Sequence, residues 1–433
     1  MIKFLCVLLS VALIVTSGYA QEDDWDDWTD DEEDWGEEGS GNIVFTGFVE
    51  GALGSRWESV PSMDKEQTLG DFRLRLETEW DFIDSASIGF KGEVWYDDIL
   101  EEVDTEIRDL SLSFSPGRSI DVRLGRQVLT WGSGDLLFLN DLFSKNWVSF
   151  FSGREDEYLK NPTTAMRSTW YTDVVNVDVV WIPEFDPDEY LTGERFSFYS
   201  PVAGRVVAPD PPLNAAKHES NFGNSEWSMR LFKTVSATEY AFYAYRGYFH
   251  SPNALTDTFQ PAFAPLAAIG ASLRRPLGAG LFNVETVYYF SRDDRSGDNP
   301  NLPNDQVRLL LGYEREAITN FTVALQYYLE WTQDYGQLIA NSPTSELEPD
   351  EFRHVLTTRL TYRLNQDKLI FSLFGFYSPG DRDYYIRPVT TYRYDDNWSF
   401  TFGANIFGGA DESTFFGQFA DNTNLYLRVR FNY

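Results

Sequence analysis

Cysteine occurs once in the 433 residues, at Cys6, and histidine only three times. That leaves no disulfide framework and little for a thiolate or imidazole metal site, so no metal and no cofactor is expected. Basic side chains are also scarce: 35 Lys and Arg stand against 68 Asp and Glu, a formal charge of −33. This balance excludes a non-specific nucleic-acid binder, which needs a positive surface. Beyond residue 20 no apolar run reaches the ~18 residues of a membrane helix. What the chain does hold is aromatics, 16 % of it, at a mean hydropathy of −0.36. Rings in that number belong to a folded chain, because disordered chains lack them.

Residues 1–20 read MIKFLCVLLSVALIVTSGYA, with Lys3 before an apolar stretch and Gly18-Tyr19-Ala20 as a small-x-small cleavage site. This is the pattern of a secretory signal peptide. Cleavage there leaves a mature chain without cysteine. Residues 21–41 follow as an acidic segment: twelve of positions 22–38 are Asp or Glu, punctuated by Trp25, Trp28 and Trp35. Such charge density opposes a packed core and reads as disordered. Two roles stay open for it, a plain spacer or a tail that docks on a basic periplasmic protein or binds divalent cations.

From residue 42 to 433 the dominant signal is a period of two. In residues 71–82, Phe72, Leu74, Leu76, Trp80 and Phe82 share one face, and Asp71, Arg73, Arg75, Glu77, Glu79 and Asp81 share the other. Successive strand side chains point to opposite faces, whereas a helix would mix these two sets. Eighteen such segments recur, from 43–53 to 422–433, most of them long enough for a tilted strand to cross a bilayer. Those at 165–172 and 265–275 carry the weakest pattern, and sixteen strands is the alternative count.

The connections alternate. Short turns such as Asp84-Ser85 and Val235-Ser236-Ala237 take turns with long segments such as 129–164 and 184–224. Aromatics gather at both strand ends, for example Trp80 and Trp398 at one and Trp181 and Trp331 at the other. Short turns on one side, long loops on the other and two aromatic belts describe a transmembrane antiparallel up-and-down β-barrel of the Gram-negative outer membrane. An even strand count places both termini on the short-turn, periplasmic side. Outer-membrane lipid and lipopolysaccharide are the surroundings expected.

Parity then gives the lumenal face. It carries Arg73, Arg75, Lys91, Arg123, Arg230, Arg308, Arg353, Arg359, Arg363, Arg387, Arg393, Arg428 and Arg430, with Glu77, Glu79, Glu93, Asp178, Glu285, Glu314 and Glu330. Arginine binds carboxylates and phosphates through its planar fork. Two readings remain: a positively lined path for anionic solutes, or Arg–Glu ladders that stiffen the wall, with Glu77 and Glu79 beside the first arginines. The loop at 129–164 contains DLLFLNDLFSKNW (residues 135–147), read as a short apolar helix. Exposed apolar helices are unstable, so the loop is expected to fold inward and narrow the pore, with a lid on the outer rim as the alternative. Trp131, Asp135, Phe138, Asp141, Phe143 and Trp147 are its constriction residues. The loop at 184–224 is too long for a connector and reads as a second lid. The carboxylates of residues 293–305 lack an EF-hand ligand pattern and read as solvated loop.

Residues 121–135, DVRLGRQVLTWGSGD, resemble the strand-then-loop signature of alginate-export-type porins and related Gram-negative barrels. In that group Gly125-Arg126-Gln127 ends a strand and Trp131-Gly132 opens an inward loop. The resemblance implies eighteen strands, an arginine-bearing lumen and passage of anionic or oligomeric solutes. The expected function is a porin-like channel. The alternative is an outer-membrane component of an export or envelope-maintenance machine, recruited through residues 22–38. Catalysis is not expected: His218 and His250 fall in long loops, His354 starts a strand, and none lies in a nucleophile motif.

Overall fold

The computed structural model describes residues 43–219 and 221–433. The signal peptide and the acidic segment 21–41 lie outside the described residues. The barrel strands are β1 (Thr46–Arg56), β2 (Gln67–Ile83), β3 (Ala86–Asp97), β4 (Glu102–Gly117), β5 (Ile120–Val128), β6 (Pro162–Trp170), β7 (Asn176–Ile182), β8 (Glu226–Val235) and β9 (Thr238–Tyr248). They continue as β10 (Pro265–Leu277), β11 (Gly280–Ser291), β12 (Gln306–Ile318), β13 (Phe321–Thr332), β14 (Phe352–Leu364), β15 (Leu369–Ser378), β16 (Asp383–Arg393), β17 (Trp398–Gly408) and β18 (Asn424–Asn432).

Each strand pairs antiparallel with its chain neighbours, and β1 pairs with β18 from Phe48↔Asn432 to Arg56↔Asn424. The result is a closed eighteen-stranded barrel, which leaves no sheet edge. The two weakest sequence segments are the full strands β6 and β10, paired on both sides. In β10 the inward positions include Leu266 and Ala268, both buried. The first half of its inner face is therefore apolar, and there the alternation that marks the other strands is missing.

Side-chain exposure confirms which face is which. Leu53, Phe242, Ile269, Leu325 and Phe402 stand exposed on the outer surface, while Arg73, Glu93, Asp178 and Glu285 are buried on the inner one. An apolar exterior this continuous suits hydrocarbon rather than water. Rings pair at both rims: Trp398 with Phe431 (4.9 Å between centroids) at the short-turn end, and Trp331 with Phe352 (5.5 Å) at the long-loop end. The two-residue turn Ser236-Ala237 has both central residues at positive φ, 50° and 61°. This two-residue geometry follows the right-handed twist of the strands it joins.

The segment between β5 and β6 does enter the barrel, but its helix is not where the sequence pattern puts it. Residues 135–146 are irregular, and Leu136 takes a left-handed φ of 56° that a helix cannot include. The helix, α1 (Trp147–Ser152), starts only at the last residue of the expected stretch. Asn146 caps it by accepting from the Ser149 N–H at 2.7 Å. Gly153 ends it at φ 91°, where an added Cβ would meet the Tyr426 ring.

Candidate functional site

The lumen is divided by side-chain chemistry. One part of the wall is apolar: Leu266, Val287 and Tyr289, with Leu310, Tyr328, Phe374 and Tyr385, pack against Leu136, Leu139, Phe150, Phe151 and Leu159 of the loop. Phe151 lies edge-on to Tyr385 and Phe407, at 5.8 and 5.3 Å. Apolar burial of this extent holds the loop inside the barrel and removes the rim-lid alternative.

The six predicted constriction residues all belong to this insert, though they serve different contacts. Trp131 packs against Phe143 (5.1 Å) and donates from Nε1 to Asp178 at 3.3 Å. Asp141 accepts from Lys145 Nζ at 3.0 Å and from Thr130 Oγ1 at 3.0 Å. Phe138 packs edge-on to Trp147 at 6.3 Å, and Trp147 Nε1 donates to Asp188 at 2.9 Å. Asp135 crosses to the far wall and takes two bonds from Arg359, at 2.5 and 2.7 Å.

The rest of the wall is ionic, and its main counter-charges come from a run that sequence reading missed: Arg154-Glu155-Asp156-Glu157. Glu155 meets Arg430 at 2.5 Å and Arg428 at 3.3 Å. Asp156 pairs with Arg387. Glu157 binds Arg75 at two points, 2.7 and 3.0 Å. Arg154 crosses the other way, onto Asp71 at 2.7 Å. The available signal was the run itself: four charges after an apolar helix, facing a barrel rich in arginine.

The wall ladders differ from those expected. Glu77 pairs with Lys91 at 3.0 Å, and Glu79 accepts from Ser87 at 2.9 Å, so neither neutralises Arg73 or Arg75. Strand twist and side-chain length put Glu93 of β3 there instead: it pairs with Arg73 and lies 2.6 Å from Arg75. Closure also brings Glu50 of β1 between the arginines of β18 and β2, 2.8 Å from Arg430. Farther round, Arg123 pairs with Asp109, Arg230 with Glu239 (2.7 Å), Arg308 with Glu330 (3.2 Å) and Arg353 with Asp381 (3.2 Å). Glu285 anchors the insert by accepting from Asn140 at 2.9 Å and from the Ser133 N–H. Arg363 and Arg393 occupy inward positions near the short-turn ends of β14 and β16, and Glu314 is an inward residue of β12.

The charges are unevenly distributed. The five consecutive strands β14–β18 contain seven arginines and one carboxylate, Asp383. On that wall Arg387 Nε, Arg428 Nε and the Tyr426 hydroxyl are buried without a hydrogen-bond partner. In the loop, burial opposes ionisation of Glu157, but Arg75 and Arg108 outweigh it and hold the carboxyl at about 2. Asp156 is likewise held low, because Arg387 and Arg359 outweigh its burial. Burial brings Lys160 down to about 8.

The second long loop closes over the same end. Its Arg195 pairs with Asp97 and donates to the Thr68 carbonyl at 3.0 Å, and its Asn-bonded Ser197 meets Asn422. The three histidines occupy structural contacts: His218 with the Phe263 carbonyl (2.8 Å), His250 with Glu226 (3.1 Å) and His354 with Tyr327 (2.8 Å). In residues 293–305, Asp294 accepts from the Ser296, Gly297 and Asn299 N–H groups of its own loop.

A closed, bilayer-facing barrel with an inserted loop and an ionic lumen defines the class, an eighteen-stranded porin-type β-barrel. Solved outer-membrane porins share the fold. Pseudomonas aeruginosa OccD3 (OpdP) is similar with a TM-score of 0.53 and 9 % identity, covering 91 % of this chain and 92 % of that one. Acinetobacter baumannii OccAB4 gives 0.53 and 10 %, covering 91 % and 98 %. Pseudomonas aeruginosa OccK11 (OpdR) gives 0.51 and 9 %, covering 90 % and 95 %. At such identities the likeness is one of fold. No family model and no curated protein matches the chain.

Proposed function

We propose that this chain is an outer-membrane channel that passes small or oligomeric anionic solutes, with both termini in the periplasm and lipopolysaccharide around its outer rim. The observation that carries the reading is the run of seven arginines against one carboxylate on β14–β18. A wall of that sign raises the local concentration of anions, and guanidinium forks bind carboxylates and phosphates at two points. Glu155 and Asp156 lie on these arginines, and Glu157 on Arg75 of β2, as a solute's own carboxylates would. In this reading they hold the path closed until the loop is displaced. Arg75, Arg359, Arg387, Arg428 and Arg430 then become the substrate path, continued toward the short-turn mouth by Arg363 and Arg393. The resemblance of residues 121–135 to alginate-export-type barrels supports including oligomeric anions.

The test is single-channel conductance and reversal potential in planar bilayers, for the mature chain and for one lacking residues 135–150. The deletion is expected to raise conductance and to give anion preference. A cation preference in the deleted form overturns the solute class, and an unchanged conductance overturns the plug.

A further inference from the structure

We propose that the outward face of β9–β11, at its long-loop end, binds a phosphorylated glycolipid of the outer leaflet, with Arg246 and Arg292 on the phosphate and the acyl chains along the strands below. The site rests on the reading that this barrel stands in the outer membrane with its long loops outside, and not on its being a channel.

Register is the first argument. Trp181 of β7, Trp227 of β8, Arg246 of β9, Ala267 of β10 and Phe290 of β11 form one row of directly paired residues. The row points outward: the alternate residues Tyr245, Leu266 and Ser291 are buried, whereas Trp227 and Arg246 are exposed. Trp181 and Trp227 lie 6.0 Å apart in the ring belt of the long-loop end. Arg246 therefore stands among lipid-facing rings, at the level where hydrocarbon gives way to headgroups. A guanidinium there is costly unless it reaches an anion, and lipid phosphates are the anions of that layer.

The state of the charges is the second. The Arg246 guanidinium forms no ion pair with a described residue. Arg292, just past β11, reaches back over β10 and donates from Nη1 to the Gly247 carbonyl at 3.4 Å, which brings a second guanidinium beside Arg246. Strands β7–β11 hold four acids, and all are engaged on the inner side. Asp178 pairs with Arg167 (2.8 Å), Glu226 with His250 (3.1 Å) and Glu239 with Arg230 (2.7 Å), while Glu285 accepts from Asn140 (2.9 Å). In the loop after β11, Asp293 is exposed and pairs with neither arginine, and Asp294 accepts from its own loop. Asp305 is taken by Arg295 at 3.2 Å. Among the other outward strand bases, Arg126 of β5 has Asp186 at 3.6 Å, and Lys233, Arg275 and Arg315 lie at the short-turn end.

The surface below the arginines is the third. In register, the same three strands continue outward with Ala244, Ile269 and Tyr288, then with Phe242, Ala271 and Thr286. This strip carries no charge, and acyl chains can cover it. A free phosphate would leave it bare. A second copy of this chain would bring no strand carboxylate to the row, because the acids of the other strands also fall on inward positions. A lipid supplies both the anion and the apolar cover.

The test titrates the mature chain in detergent with bisphosphorylated lipid A and counts bound lipid by native mass spectrometry. Arg246→Ala with Arg292→Ala is expected to weaken binding roughly tenfold or more. Lipid A stripped of its phosphates is expected to bind the parent no better than the phosphorylated lipid binds this variant. Lys233→Ala with Arg275→Ala, outward bases at the opposite end, should leave binding unchanged. A heat-modifiable band checks that each variant is a folded barrel, and the stripped lipid tests the parent even where a variant does not fold. Equal binding by the parent and the Arg246→Ala, Arg292→Ala variant, equal binding of the stripped lipid, or saturation of the site by inorganic phosphate alone would overturn the proposal. So would a lipid-free oligomer of the parent that this variant loses, which would assign the face to a second copy. The titration is made outside any membrane, so a chain that fractionates elsewhere than the outer membrane overturns the reading beneath the proposal, while failed lipid binding leaves that reading standing.

Discussion

Glu157 of the inserted loop and Arg75 of β2 form a two-point ion pair across the lumen, with Nη2 2.7 Å and Nη1 3.0 Å from the carboxylate oxygens. The pair fixes the loop at a position 82 residues away in sequence. Tyr158 adds to it, accepting from Arg75 at 2.8 Å while its own hydroxyl donates to Glu93 at 3.0 Å. The loop is thus held by ions on one flank and by rings on the other.

Neutralising the acidic run should release the ionic flank. Removing one partner of a buried pair costs about 3–5 kcal/mol. Glu157 keeps 34 % of its side chain exposed, so solvent screening brings its share nearer to ~1–2 kcal/mol. Glu155→Gln with Asp156→Asn and Glu157→Gln is expected to raise single-channel conductance and its fluctuations at neutral pH. Identical current records for the triple variant and the parent would refute this.

Acid should do what that substitution does. The Glu157 carboxyl is held at about 2, below its ordinary 4.5. A depressed carboxyl stabilises the seated loop fully above about 4.5 and loses that contribution as pH falls toward 2. Conductance is expected to be flat from pH 7 to 5 and to rise below about 4. The Glu157→Gln variant should show a smaller step over the same window.

Phe151→Ala tests the aromatic flank. The ring is buried among Tyr385, Phe407 and Phe419. Deleting a buried Phe costs about 3–5 kcal/mol. The strand ladder does not depend on this ring, so the barrel should still migrate as a heat-modifiable band. Cleavage within residues 129–161 by added protease should speed up at least tenfold.

The second long loop has its own pH dependence. Burial opposes protonation of His250, but Glu226, with Asp188 behind it and against Lys145, raises its pKa above 6.5. His250 also stacks on Phe185 of that loop, and its carbonyl accepts from the Asp188 N–H at 3.0 Å. A raised histidine stabilises fully below about 6.5 and stops doing so as pH climbs through its folded value. Protease sensitivity of residues 183–225 is expected to increase between pH 6 and 9, and His250→Gln should flatten the profile.

Much of this architecture was legible in the residues alone. Eighteen segments, alternating connections and the inward parity of Arg73, Arg359, Arg387 and Arg428 all follow from a period of two, which is a local property of any strand. The inserted loop was legible as an apolar stretch with no other surface to cover. Its helix begins where the expected one was to end, because the left-handed Leu136 and the Asn146 cap decide where helix can start, and hydrophobic spacing carries neither.

The pairing of charges belonged to the tertiary structure. Glu77 and Glu79 are near Arg75 in sequence, yet Glu93 and Glu157 neutralise it. Which acid meets which arginine depends on the closure of β18 onto β1, on the offset between strands and on the route of the loop through the lumen. Coulomb energy falls with distance and with solvent exposure, and both are set by the closed barrel rather than by position along the chain. The composition and alternation of this sequence therefore determined a barrel with arginines inside, and only the folded cylinder decided that its own loop would sit on them.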